Sequence, residues 1–245
     1  MARHFFIVGA QRSGTTWLYR MLGQHPDINM AHPERPEPKF FITDMLYEKG
    51  IAYYCQTYFS AGAYAWLGEK STSYIEQAIA AKRISLHFPD ALILFLLRDP
   101  VDRAISNYRF SRDNGLEARP LELAIAQEPA LAKPASDISV SPYAYTARGH
   151  YVRFLGMWEQ YFPREQMMLL TSEKLLGSEV AIRDVFGRLH LDTHVPLSNV
   201  HLAVNGTAPS SEPVSPNIHR RLREGFRNSN HLLAERYGVD ISRWQ

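Results

Sequence analysis

The 245-residue sequence contains a single cysteine, Cys55, so no disulfide can form within the chain. One thiolate also leaves no basis for a cysteine-built structural zinc site. Neither sign of charge is in excess: 27 Lys and Arg stand against 25 Asp and Glu, a formal net charge of +2. That balance gives no bulk attraction for nucleic acid, and Arg and Lys form no long basic stripe with interleaved aromatics. Any anion must therefore be held by local placement of basic side chains. Long apolar runs are missing too. Phe5-Phe6-Ile7-Val8, near the start, falls far short of a signal core or of the roughly 20 residues a membrane span needs. Repeats, low-complexity tracts and inter-domain linkers are absent. What remains is ordinary globular composition, 45% apolar and 21% charged. These features predict one domain over residues 1–245, cytoplasmic, with a core of normal size.

The apolar periodicity predicts an α/β fold with a central parallel sheet flanked by helices. Phe5 to Val8 reads as a strand ending at Gly9, and Trp17, Leu18, Met21 and Leu22 recur at helical spacing until His25-Pro26-Asp27. Pro33, Pro36 and Pro38 exclude helix interior and central strand, so residues 32–39 are an extended loop. Trp66 to Ser71 reads as a strand reaching a loop, and Ile75 to His87 as an amphipathic helix. Ala91 to Leu97 is apolar without alternation, the mark of a strand covered on both faces. Asp99 can cap the next helix and Pro100 suits its first position. Pro129 to Ala147 reads as a long loop. Helices over 151–161, 179–189 and 218–237 and a strand over 167–170 complete the chain.

Gly9-Ala10-Gln11-Arg12-Ser13-Gly14-Thr15-Thr16 has the spacing of the phosphate loop GxxxxGK[ST], with Thr15 at the lysine position. Small residues let backbone N–H groups converge, and the helix N-terminus favours an anion. Arg12 supplies charge from inside the loop, with a planar fork suited to phosphate or sulfate oxygens. The plainer reading is a tight strand-to-helix turn. Arg98 follows the predicted central strand, at the edge where open α/β sheets bind ligands, and Ser106 lies about two helical turns on. Taken singly, each is an ordinary surface residue.

Together the segments carry a family resemblance. Gln11-Arg12-Ser13-Gly14-Thr15-Thr16-Trp17 resembles the 5′-phosphosulfate loop of sulfotransferases that use 3′-phosphoadenosine 5′-phosphosulfate (PAPS). Arg98 through Tyr108 resembles their 3′-phosphate motif. Glu37-Pro38-Lys39-Phe40-Phe41, Glu69-Lys70-Ser71-Thr72-Ser73-Tyr74 and Gly149-His150-Tyr151 through Trp158 resemble segments of the glycan (heparan sulfate) branch and its bacterial relatives. The resemblance implies that Arg12, Ser13, Gly14, Thr15 and Thr16 hold the phosphosulfate, and that Arg98 and Ser106 hold the 3′-phosphate. Arg12 stands where many members have lysine, and Lys39 where the glycan branch often has histidine. The basic loop and disulfide of the animal glycan enzymes are not evident; Asn205-Gly206-Thr207 occupies that region.

The implied reaction is in-line transfer of a sulfuryl group from PAPS to a hydroxyl or amine of a glycan or small-molecule acceptor, with no metal. Glu37 is the expected general base; Glu34 is the neighbouring carboxylate, and His32 and His150 are alternative bases. Arg12 and Lys70 are expected to stabilise developing charge, although Lys70 could instead simply pair with Glu69. Phe40, Phe41, Tyr74, Tyr143, Tyr145 and Tyr151 could line an acceptor site or simply fill the core. The alternatives are a phosphate-loop small-molecule kinase, disfavoured by Thr15, and a non-catalytic nucleotide-binding domain.

Overall fold

Five strands rich in Ile, Leu, Met and Phe form one wholly parallel sheet in the computed structural model, which describes residues 2–128, 141–202 and 213–244. They are β1 (Arg3–Gly9), β2 (Ile28–Met30), β3 (Trp66–Lys70), β4 (Leu92–Leu97) and β5 (Met167–Thr171), in the order β2-β3-β1-β4-β5. Parallel strands need crossovers, and helices supply them. In chain order these are α1 (Thr15–Leu22), α2 (Asp44–Tyr47), α3 (Gly50–Tyr58), α4 (Ala78–His87), α5 (Pro100–Asp113) and α6 (Leu121–Ala126). Then follow α7 (Tyr151–Trp158), α8 (Ser172–Leu175), α9 (Glu179–Arg188) and α10 (Pro216–Tyr237).

Strand geometry sends successive side chains to opposite faces, so each central strand feeds two cores. Phe5, Ile7, Leu94 and Leu96 pack with Trp17, Leu18 and Leu22 of α1 and Ile182 and Phe186 of α9. Phe6, Val8, Ile93, Phe95 and Leu97 pack with Tyr54, Ile84, Leu155 and Trp158 on the other side. This two-sided burial accounts for the unbroken apolar run of β4. The aromatic candidates resolve as core: Phe40, Phe41, Tyr74, Tyr145 and Tyr151 are buried, while Tyr143 is half-buried.

Asp99 caps α5 as its position predicts, accepting from the Val101 N–H at 2.8 Å with Pro100 as first helical residue. Other boundaries move. The helix read over 75–87 begins at Ala78, after a 3₁₀ turn at Tyr74–Glu76. α1 ends at Leu22 with Gly23 as its cap, before His25-Pro26-Asp27. Residues 129–140 of the predicted long loop, and Asn205-Gly206-Thr207, lie outside the described residues. β1 has β3 on one side and β4 on the other, so the chain reverses its order of addition there. Ligands bind at the carboxyl ends of strands at such a switch point.

Candidate active site

The turn after β1 is built by two residues in the left-handed region, Arg12 (φ 67°) and Gly14 (φ 87°). Gly14 is the N-cap of α1, and it brings no side chain to cap the helix. The first-turn N–H groups of Thr15, Thr16 and Trp17 have no acceptor within the helix, and no acidic residue lies in that turn. The terminus is thus suited to an external anion. The loop is pinned from below: the Ala10 N–H donates to Leu96 O at 2.8 Å. The single proton of the Ser172 hydroxyl serves the Ser13 carbonyl at 2.6 Å or the Leu97 carbonyl at 2.9 Å.

Arg98, just beyond β4, closes on this loop. Its Nη1 donates to the Arg12 carbonyl at 3.3 Å, and the Tyr151 hydroxyl holds the Arg98 carbonyl at 2.8 Å. Arg12 Nε donates to Ser106 Oγ at 3.2 Å, and its guanidinium lies 4.7 Å from the centre of the Phe110 ring. The two predicted anion motifs therefore meet. Burial lowers the Arg12 pKa, and the neighbouring charges of Arg98 and Arg35 lower it further against an opposing Asp113. An anion set beside Arg12 would offset the neighbouring positive charges that lower its pKa. Asp102 offers Arg98 only a 3.7 Å contact. The donor set fits phosphate or sulfate oxygens.

On the β3 side, Lys70 Nζ lies 2.6 Å from Glu37 Oε1, with the lysine side chain only 2% exposed. The Thr72 N–H donates to Glu37 Oε2 at 2.9 Å, and Thr72 Oγ1 reaches the same oxygen at 3.0 Å. Lys70 thus pairs with Glu37, although Glu69 precedes it in sequence. Glu34 is committed elsewhere, to a two-point pair with Arg20 at 2.8 and 3.1 Å. His32 Nδ1 sits 3.4 Å from the Tyr19 hydroxyl, which lies 2.9 Å from the Ala31 carbonyl as donor. The His150 ring lies 5.2 Å from Phe226, and burial lowers its pKa, with Glu128 opposing.

Some residues escaped sequence reasoning. Arg35 acts on Arg12 from within the proline-rich loop, and Ser172 braces the glycine turn; Tyr151, read from sequence only as acceptor lining or core, also holds the Arg98 carbonyl. No spacing pattern marks them, because their partners lie far away in sequence. Among the described residues, no group of three or more His, Cys, Asp or Glu is placed to hold a metal. No helix among them is long and apolar enough to cross a membrane.

A parallel sheet with an uncapped glycine turn and converging arginines at its switch point defines an α/β protein of the phosphate-loop type. Residues 2–178 match the sulfotransferase domain, and the chain belongs to that family of transferases. The chain is 26% identical over 256 residues to human heparan sulfate glucosamine 3-O-sulfotransferase 3B1, covering 96% of this chain and 63% of that protein. It is 32% identical over 182 residues to the mouse bifunctional heparan sulfate N-deacetylase/N-sulfotransferase 1, covering 71% of this chain and 20% of the relative. The chain therefore spans less than two thirds of the length of either. The crystal structure of a sulfotransferase from Alicyclobacillus acidocaldarius superposes with a TM-score of 0.80 at 25% identity, covering 100% of this chain and 99% of the other.

Proposed function

We propose that residues 1–245 act as one cytoplasmic domain that transfers a sulfuryl group from PAPS to a hydroxyl or amine of a glycan or small-molecule acceptor. The observation that carries this reading is the contact of Arg12 with both Arg98 and Ser106. It joins the glycine turn after β1 to Arg98 and Ser106 after β4, which supports one donor site spanning both, and the Lys70–Glu37 pair lies at the end of neighbouring β3. Arg12, Ser13, Gly14, Thr15 and Thr16 hold the phosphosulfate, while Arg98 and Ser106 hold the 3′-phosphate.

The acceptor oxygen or nitrogen attacks sulfur as the bond from sulfur to the bridging oxygen breaks. The acceptor proton passes to the Glu37 carboxylate. The electron pair of the broken bond stays on the leaving phosphate, giving 3′,5′-diphosphoadenosine. Arg12 and the ammonium of Lys70 stabilise that charge. Lys70 directs one proton at Glu37, and an ammonium has three to give. The heparan sulfate relatives support a glycan acceptor. The test is transfer of label from [³⁵S]PAPS to a panel of desulfated heparan oligosaccharides, phenols and aliphatic alcohols. Label on an acceptor supports the reading; donor binding with no transfer to any class contradicts it.

A further inference from the structure

We infer that Glu69 is a positioning residue for the reaction proposed above, a buried carboxylate that fixes the loop carrying Glu37 through the hydroxyls of Ser71 and Tyr74. Glu69 is 1% exposed at the end of β3. Its Oε1 accepts from Ser71 Oγ at 2.6 Å and its Oε2 from the Tyr54 hydroxyl at 2.7 Å, and the buried Tyr74 hydroxyl faces the same carboxylate. Two of these hydroxyls turn their oxygens to the loop. Ser71 Oγ accepts the Lys39 N–H at 2.9 Å, and the Tyr74 oxygen accepts the Phe41 N–H at 3.1 Å. Two backbone amides just beyond Glu37 are thus tied to one carboxylate.

A charge this deep is costly, and an apolar side chain would pack more cheaply if the site only had to be filled. The carboxylate differs from any neutral group in accepting only. By drawing the protons of Ser71 and Tyr74 inward, it leaves their lone pairs for the loop. A glutamine would offer an N–H to one of them and set the hydroxyl against its amide partner. The groups facing Glu69 are Tyr54 and Tyr58 from α3, Tyr74 from the 3₁₀ turn and Glu37 from the loop. Glu69 and Lys70 therefore grip neighbouring parts of one loop, Lys70 at Glu37 and Glu69 at Lys39 and Phe41.

This inference rests on the proposed transfer reaction, but its test is read first on the protein without substrate. Backbone amide exchange is measured for wild type and Glu69→Gln, with 3′,5′-diphosphoadenosine affinity and kcat alongside. The Lys39 and Phe41 amides should exchange about tenfold faster or more, corresponding to one lost hydrogen bond at each, while Leu94 in the central strand is unchanged. kcat should fall by a similar factor with donor affinity held within about twofold. If Glu69→Gln does not fold, Ser71→Ala replaces it and should loosen Lys39 but not Phe41. Unchanged exchange at both amides overturns the inference, as does a loss of donor affinity equal to the loss of kcat. If wild type transfers no sulfuryl group to any acceptor, the transfer reading fails while the exchange result still decides the loop's anchor.

Discussion

Arg12 Nε donates to Ser106 Oγ at 3.2 Å, a contact between residues 94 positions apart that makes one cluster of the two anion motifs. The Arg98 bond to the Arg12 carbonyl closes the same cluster from the β4 side. A nucleotide carrying phosphates at both ends of its ribose would meet both motifs at once. Arg12 holds Ser106, and in the proposed reaction it has a second duty, meeting the transferring group.

These duties separate by substitution. Arg12→Lys keeps the charge but loses the fork, so donor affinity should fall by no more than about tenfold. Arg12→Ala should lower kcat by about a hundredfold or more, the usual effect of removing a preorganised cation from developing charge. Steady-state kinetics with saturating acceptor checks both. Equal effects of the two substitutions would contradict a role for the charge.

Glu37→Gln should leave 3′,5′-diphosphoadenosine binding intact and reduce turnover by about 10²-fold or more. The Thr72 contacts can hold the amide in place, so the fold is expected to survive. Calorimetry and turnover on the same preparation make the comparison. Unchanged turnover removes Glu37 as the base.

Burial raises the Glu69 pKa to about 7, opposed by hydrogen bonds from Ser71, Tyr54 and Tyr74 and reinforced by Glu37. A carboxyl raised in the folded state binds its proton there and not in the unfolded chain, between the ordinary value near 4.5 and about 7. Stability should therefore decline as pH rises through that window, by up to about 1.4 kcal/mol per unit from this group. Turnover should move the other way, because the ionised form is needed to draw in the hydroxyl protons. Glu69→Gln should remove this group's part of both slopes, as read by urea unfolding and kcat across pH 5 to 8. A variant with wild-type slopes in both would contradict the assignment.

Gly14 holds φ at 87°, and a Cβ there would lie 2.8 Å from both Leu176 methyl carbons. Those methyls end a flexible side chain and can move; the backbone angle cannot. Gly14→Ala should cost about 1–2 kcal/mol from the left-handed conformation alone. Gly14→Ala combined with Leu176→Ala should not recover that loss. Thermal unfolding of the two variants decides, and full recovery would point to crowding instead of backbone strain.

Local signals in the sequence located much of this molecule. The unbroken run of β4, the Asp99 cap with Pro100 and the glycine turn each depend on residues within a few positions of one another. β2, α2, α6 and α8 escaped notice because they are short and take their stability from packing, and α3 because it buries only Tyr54 and so carries no apolar stripe. The Lys70–Glu37 pair spans 33 positions and joins a loop to a strand end. Sequence adjacency offered Glu69 as the lysine's partner, and only the fold shows Glu69 engaged with three hydroxyls. The aromatic candidates were equally ambiguous until the fold placed Phe40, Phe41, Tyr74 and Tyr151 in the core with Trp158, and Tyr145, with Tyr143 against it, in a third apolar cluster of α5 and α10.

The most direct measurement is calorimetric binding of 3′,5′-diphosphoadenosine and adenosine 5′-monophosphate to wild type and to Arg98→Ala. Wild type should bind the diphosphate at least about tenfold to a hundredfold more tightly, the effect of one charge-assisted contact of roughly 1.5–3 kcal/mol. Arg98→Ala should erase most of that preference and leave the monophosphate nearly unaffected. Equal affinity of wild type for the two nucleotides, or a preference that survives Arg98→Ala, would contradict a 3′-phosphate site at Arg98 and Ser106.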